Sequence, residues 1–233
     1  MLLQDVAARV TDETYGYAAA ASLELCGKQL ELKFAGKDDT TLAFAQKPAL
    51  KLSVDNNPAQ VDYSCLKIGA RVYLVWFTNL ESSVSFVLDL DSELVTRIST
   101  DSTLKSVIDF GSFGKDGKTE LQGYSKDLGG NTVFWTFGEL PSSRIKAVYE
   151  GDAVAVSAEA APGAITVEDY SVVRISEIIY LQNALVKKDG KTLAVNLVSN
   201  FGSVTSAGNV FEVSLAKAVK SRAIGAYGRI VSD

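Results

Sequence analysis

The chain has no histidine, which excludes a Ser-His-Asp or Cys-His triad, a histidine-based zinc site and an imidazole base. Proton transfer, if the protein performs any, falls to carboxylate, phenol, lysine or arginine side chains. Asp89 stands in Val84-Ser-Phe-Val-Leu-Asp-Leu90, a run whose alternate positions Val84, Phe86 and Leu88 are apolar. If the face shared by Ser85, Val87 and Asp89 points into a barrel, burial raises the pKa of the carboxylate and makes it a candidate proton acceptor. A solvent-facing or ion-paired acid is the alternative. Tyr63, Tyr73 and Trp76 lie close together in sequence, and aromatic rings with one polar handle either grip a planar ligand or pack a core. Farther along, Trp135, Glu139, Arg144, Lys146, Tyr149, Tyr170 and Arg174 put carboxylate, cation and phenol on adjacent expected strands. Such a set suits an anionic or phenolic ligand, and Tyr170 joins Asp89 as a candidate for moving a proton.

The acids Asp38-Asp39 and Asp89 with Asp91 lack the oxygen-ligand spacing of a calcium loop. Cys26 and Cys65 have no CxxC spacing and read as small buried apolar side chains. Neither a metal nor a cofactor is expected.

The elements that must position these residues are strands. Leu30-Glu-Leu-Lys-Phe34, Val84 to Leu90, Ala153-Val-Ala-Val-Ser157 and Thr192-Leu-Ala-Val-Asn-Leu197 show period-two character, separated by turn clusters such as Ala35-Gly-Lys-Asp-Asp39 and Lys188-Asp-Gly-Lys191. Many short strands at regular spacing indicate an antiparallel barrel or sandwich. Helical spacing is confined to Gln4–Val10 and to the stretch from Val213 to Ser221.

The chain also repeats itself. Asp62-Tyr-Ser-Cys-Leu-Lys-Ile-Gly-Ala-Arg-Val-Tyr-Leu74 returns as Asp169-Tyr-Ser-Val-Val-Arg-Ile-Ser-Glu-Ile-Ile-Tyr-Leu181, an offset of 107 (169 − 62), and that offset carries Val84–Leu90 onto Lys191–Leu197 and Asp89 onto Asn196. Gly27–Phe34 matches Gly130–Phe137 at an offset of 103 (130 − 27). This is a tandem duplication, with copies expected over residues 1–116 and 117–233 and a boundary near Gly117 in a glycine-rich stretch. In the repeated block, Ile68-Gly-Ala-Arg71 reads as a two-residue hairpin connection that pairs Tyr63 with Trp76 and Cys65 with Leu74. Both faces of that hairpin are mostly apolar. The barrels are therefore expected to pack on each other, on a helix or on another subunit, so a homodimer is among the partners allowed.

Acids outnumber bases 28 to 23, a net charge of −5, and no basic run offers a footprint for a phosphate backbone, so nucleic acid is not an expected partner. The apolar stretches are strand length, well short of a membrane helix. An acid and a base interrupt Met1–Arg9 where a signal peptide needs an apolar core, so the expected location is the cytoplasm.

Gly27-Lys-Gln-Leu-Glu-Leu-Lys-Phe34, Tyr63 ahead of Val72-Tyr-Leu-Val-Trp76, and Val84–Leu90 together resemble the N-terminal domain of the MoaF-like family, named for molybdenum cofactor biosynthesis protein F. Tyr170-Ser-Val-Val-Arg-Ile and Ile179-Tyr-Leu181 resemble its second domain. The resemblance implies two tandem calycin-like, lipocalin-type antiparallel barrels that enclose small molecules. The expected function is binding of an apolar or aromatic ligand, with metal-free lyase, isomerase or cyclase chemistry as the catalytic option. A non-catalytic carrier and a dimerisation module are the alternatives. In the second copy Gln182-Asn183 replaces Val75-Trp76.

Overall fold

A computed structural model of the protein describes residues 21–37, 39–45, 51–54, 60–79, 81–114, 122–137, 144–158, 165–188, 190–213 and 219–231. The described chain is all-β, in two antiparallel units. The first comprises β1 (Gln29–Phe34), β2 (Thr40–Phe44), β3 (Lys51–Val54), β4 (Gln60–Lys67), β5 (Val72–Thr78), β6 (Ser82–Asp89), β7 (Leu94–Asp101) and β8 (Ser106–Phe113). Each strand pairs with the next, and β8 returns to β1 through Leu32↔Phe113, closing a barrel. The second comprises β9 (Gly123–Tyr124), β10 (Thr132–Thr136), β11 (Arg144–Tyr149), β12 (Val154–Ala158), β13 (Thr166–Arg174), β14 (Ile179–Lys188), β15 (Lys191–Asn200), β16 (Thr205–Val213) and β17 (Val219–Val231). These form one curled sheet in the order β12-β11-β10-β17-β16-β15-β14-β13-β9.

Backbone hydrogen bonds recur at matching positions of the two units. The N–H of Gly27 donates to the carbonyl of Phe44 and that of Gly130 to Tyr149; Ser22 donates to Cys65 and Ser125 to Val172; Ile68 donates to Val72 and Ile175 to Ile179. Gly27 and Gly130 both sit at positive φ, 78° and 85°, a conformation that costs glycine little and other residues more. Tyr63 thus overlies Tyr170, and Tyr73 overlies Tyr180.

Beyond β5 and β14 the match moves. Asp89 Oδ1 accepts the N–H groups of Asp91 and Ser92 at the β6–β7 turn, and Asn200 Oδ1 accepts those of Gly202 and Ser203 at the β15–β16 turn. The structural partner of Asp89 is therefore Asn200, at an offset of 111 (200 − 89), and not Asn196. The β14–β15 hairpin has gained four residues, a change invisible in the alternation because an even insertion keeps the inward and outward phases.

The repeated hairpin departs from expectation in the same way. Tyr63 pairs with Phe77, Ser64 with Trp76 and Cys65 with Val75. The connection is one residue longer than a two-residue turn, with Ile68 still bonded to Val72. A one-residue change of register turns one strand over relative to the other. Tyr63, Cys65, Tyr73, Val75 and Phe77 consequently face the first barrel's interior with Leu32, Phe34, Leu42, Phe44, Phe86 and Leu88, while Trp76 faces out.

That outer face is covered by the second unit. Leu66, Val72, Leu74, Trp76, Val87 and Ile98 form one buried cluster with Val173, Ile179, Leu181, Val198, Ala207 and Phe211, so the barrels pack on each other. Hydrogen bonds pin the contact: Asn209 Nδ2 to Ser85 Oγ at 3.0 Å, Asn183 Nδ2 to Ser106 Oγ at 3.2 Å, and Thr96 Oγ1 to Gln122 Oε1 at 2.6 Å.

Val213 and Val219–Ser221, expected in a helix, end β16 and begin β17; Gln4–Val10 and the boundary near Gly117 lie outside the described residues. Among the described residues no helix is long and apolar enough to cross a membrane.

Trp76 is buried against both units, so Trp76→Ala should lower the free energy of unfolding by about 3–5 kcal/mol. Urea denaturation of the variant measures this, and a loss under about 1 kcal/mol would contradict an inter-unit core centred on this ring.

Candidate functional site

The interior of the second unit holds a cavity of about 120 Å³, close in size to one of about 150 Å³ that accepts benzene. Its walls include Phe137, Ile145, Ala147, Ala184, Val186, Leu193, Val195, Leu197, Val210 and Ile224. The duplication explains why there is space. Phe77 of the filled barrel corresponds to Ala184, Leu42 to Ala147, and Phe86 to Leu197. Three apolar core positions have also become polar: Val75 is matched by Gln182, Leu88 by Ser199 and Val95 by Ser206.

These three side chains form a chain with Tyr170. The Tyr170 hydroxyl donates to Gln182 Oε1 at 3.3 Å, Gln182 Nε2 donates to Ser199 Oγ at 2.8 Å, and Ser199 Oγ donates to Ser206 Oγ at 2.9 Å. Gln182, Ser199 and Ser206 are all buried, and the chain satisfies groups that would otherwise be costly there. On the facing strands, Trp135 Nε1 donates to the Tyr149 hydroxyl at 3.1 Å. Phe201 sets its ring edge-on to Trp135, Tyr149 and Tyr180, at centroid distances of 6.2, 6.3 and 5.7 Å. The indole fits because the residue opposite it on β17 is Gly228, where a Cβ would lie 2.7 Å from the ring.

The wall has a seam. In the first unit β3 pairs with β4 through Lys51↔Asp62; in the second, β12 and β13 lie alongside each other without a ladder among the described residues. Asp169, the counterpart of Asp62, has a left-handed φ of 48°, and the β13–β14 register shifts between Glu168 and Ser171. Such a bulge bends a strand and re-aims its side chains. It lets Val167 and Tyr170, three residues apart, both line the cavity, which a regular strand forbids.

Burial pushes the Tyr149 hydroxyl up to about 12, with the bonds from Trp135 and Gln182 acting in the opposite direction. Tyr170 is raised still further, first by burial and then by the neighbouring Tyr149. Both are neutral phenols at physiological pH.

The anticipated residues divide accordingly. Trp135, Tyr149 and Tyr170 line the cavity. Tyr63 and Tyr73 are buried inside the first barrel, where Tyr63 packs edge-on against Phe44 at 5.4 Å and the Tyr73 hydroxyl donates to Glu24 at 2.5 Å. Trp76 belongs to the inter-unit core and is not among the residues lining this cavity. Asp89 is buried at the end of β6, where its carboxylate holds the following turn and also accepts from Ser92 Oγ at 2.6 Å; it enters no barrel interior. Arg174 pairs with Asp127 at 3.2 Å on the surface, as Lys67 pairs with Glu24 in the first unit. Arg144 is exposed on β11, and Glu139 lies outside the described residues. Gln182, Ser199, Ser206 and Arg222 were not anticipated. The replacement of Val75 by Gln182 in the repeat was the signal available for the first; the four-residue insertion concealed the serines. Cys65 is buried and its thiol pushed up to about 12, in keeping with an inert core residue. Among the described residues no cluster of metal-binding side chains occurs.

No family model matches the chain, and no curated protein matches it. Among solved structures, a Burkholderia vietnamiensis protein carrying the provisional description of a beta-lactamase aligns with 39% of this chain and 94% of its own, at 16% identity and a TM-score of 0.34.

The raised tyrosine makes a pH-dependent contribution with a definite sign. A phenol whose folded pKa is about 12, against 10.0 unperturbed, contributes stability that is fully present below pH 10 and is lost as pH rises toward 12. Tyr149→Phe should remove its share of that loss, giving a shallower fall in unfolding free energy across this window than the wild type. Equal slopes would place Tyr149 in contact with water.

Proposed function

We propose that this protein binds a small apolar molecule in the interior of its second unit, with the filled first barrel serving as the scaffold against which that unit is held. The observation that carries this reading is the contrast between two copies of one fold. At matched positions the first carries Phe77, Leu42 and Phe86 where the second carries Ala184, Ala147 and Leu197, and the space beside these smaller side chains, mostly apolar with a few convergent polar groups, is the form a small-molecule site takes. Tyr170, Gln182, Tyr149 and Trp135 supply the few oriented polar groups such a site uses to fix one end of its ligand. The resemblance to MoaF-like, calycin-type proteins agrees with this reading. Within it, the expected partner is a small molecule, and no cofactor is called for.

Binding is favoured over cofactor-independent acid–base turnover. A general base works best with a pKa near the operating pH, and both cavity phenols are held protonated far above it. They suit hydrogen bonding to a ligand better than proton abstraction. The apolar outer faces that made a dimerisation module plausible are occupied within one chain.

The protein has two tryptophans, so Trp76→Phe leaves Trp135 as a reporter inside the cavity. One-ring alcohols, phenols and acids titrated into that variant should change its fluorescence, and a ligand at about a hundredfold over Kd should stabilise the fold by roughly 2.7 kcal/mol. Ala184→Phe or Ala147→Leu, which restore the filled barrel's residues, should abolish the response while leaving the β circular dichroism spectrum intact. Unchanged binding in both refilled variants would refute a ligand site at this cavity.

A further inference from the structure

Resting on the binding reading above, we infer that the ligand carries an uncharged carbonyl group, as a ketone, ester or amide does, and that the Tyr149 hydroxyl donates to its oxygen. Tyr149 lines the cavity and is buried. Its oxygen accepts from Trp135 Nε1 at 3.1 Å and meets Gln182 as a second donor. Both neighbours give a proton and neither takes one; an indole N–H has no acceptor capacity at all. Tyr170 commits its own proton to Gln182 Oε1. Among the described residues the Tyr149 hydroxyl donates to no acceptor, and a buried donor left unmatched is costly.

The hydroxyl is peculiar to the copy that has the cavity. The bonds from Gly27 to Phe44 and from Gly130 to Tyr149 make Phe44 its counterpart in the filled barrel, where that ring packs edge-on against Tyr63. A carbonyl oxygen suits the Tyr149 donor because it accepts without bringing a proton of its own. A carboxylate suits it less. Arg222, the one charged residue in the described lining, already has Glu212 as its counter-ion, and an anion buried without a partner is costly. The hydrocarbon body of the ligand would lie against Ala147, Ala184 and Ile224, which line the same space.

The test compares acetophenone with ethylbenzene, in which a methylene replaces the carbonyl, and with benzoate, a charged analogue. Calorimetry on the wild type and on Tyr149→Phe gives the affinities. The variant keeps the ring and introduces the residue type of Phe44, which the same fold accommodates. It should weaken acetophenone roughly five- to tenfold relative to ethylbenzene, the worth of one neutral hydrogen bond, and benzoate should bind the wild type more weakly than acetophenone does. Infrared difference spectroscopy of acetophenone isotope-labelled at the carbonyl reads the bond without relying on the variant. Its stretch in the wild-type complex should fall below the frequency in hexane, and in Tyr149→Phe it should move back towards that value. An unshifted carbonyl, equal weakening of acetophenone and ethylbenzene, or tighter binding of benzoate would overturn the carbonyl assignment while the cavity reading stands. Failure of all three compounds to bind the wild type would overturn the cavity reading and the assignment together.

Discussion

Strands that are apolar on both faces cannot leave either face in water, and this constraint organises the molecule. In the first unit one face of β4–β7 fills its own barrel and the other meets the second unit's outer face. Each fully buried Leu, Val or Phe contributes roughly 1.5–3 kcal/mol relative to exposure, so the shared cluster is a large part of what holds the chain together. Polar side chains also bond across the boundary, as from Asn209 to Ser85 and from Asn183 to Ser106. A pair of partners at fixed spacing discriminates between docking registers more sharply than apolar contact does.

With the outer faces committed to each other, the interiors are free to differ. The first is a core in the ordinary sense, with Phe34, Phe44, Tyr63, Phe77 and Phe86 interlocked, and Arg97 lying 4.2 Å from the Phe34 ring centroid while its guanidinium bonds Asp109. The second has exchanged bulk for space and for a polar chain. Duplication permits this division: one copy and the interface keep the fold stable, and the other carries less favourable features, namely a seam between β12 and β13, a bulge with a left-handed aspartate, and buried hydroxyls.

The same hydrogen bonds recur at different uses in the two copies. The acceptor that holds the β6–β7 turn is a carboxylate, Asp89, and the one that holds the β15–β16 turn is an amide, Asn200. A turn needs an oxygen acceptor and no charge, so this acid is accounted for by local structure.

The all-β class, the duplication and the burial of the repeated aromatics follow from the sequence alone, because alternation, turn chemistry and self-similarity are local properties of the chain. The absence of histidine and of metal-ligand spacing bounded the chemistry on the same terms. Trp135, Tyr149 and Tyr170 could be chosen as ligand-facing candidates because aromatic and polar residues recur on strands in step with the repeat. Trp76 and Asp89 could not be placed, since side-chain direction depends on the length of the turn between two strands, and one extra residue at Gly69–Arg71 reverses the face. Gln182, Ser199 and Ser206 come from strand positions whose equivalence rests on a four-residue insertion that leaves the local pattern unchanged. Hollowness itself belongs to no residue: it is the sum of small side chains on strands far apart in sequence, and only folding brings them to line the same space.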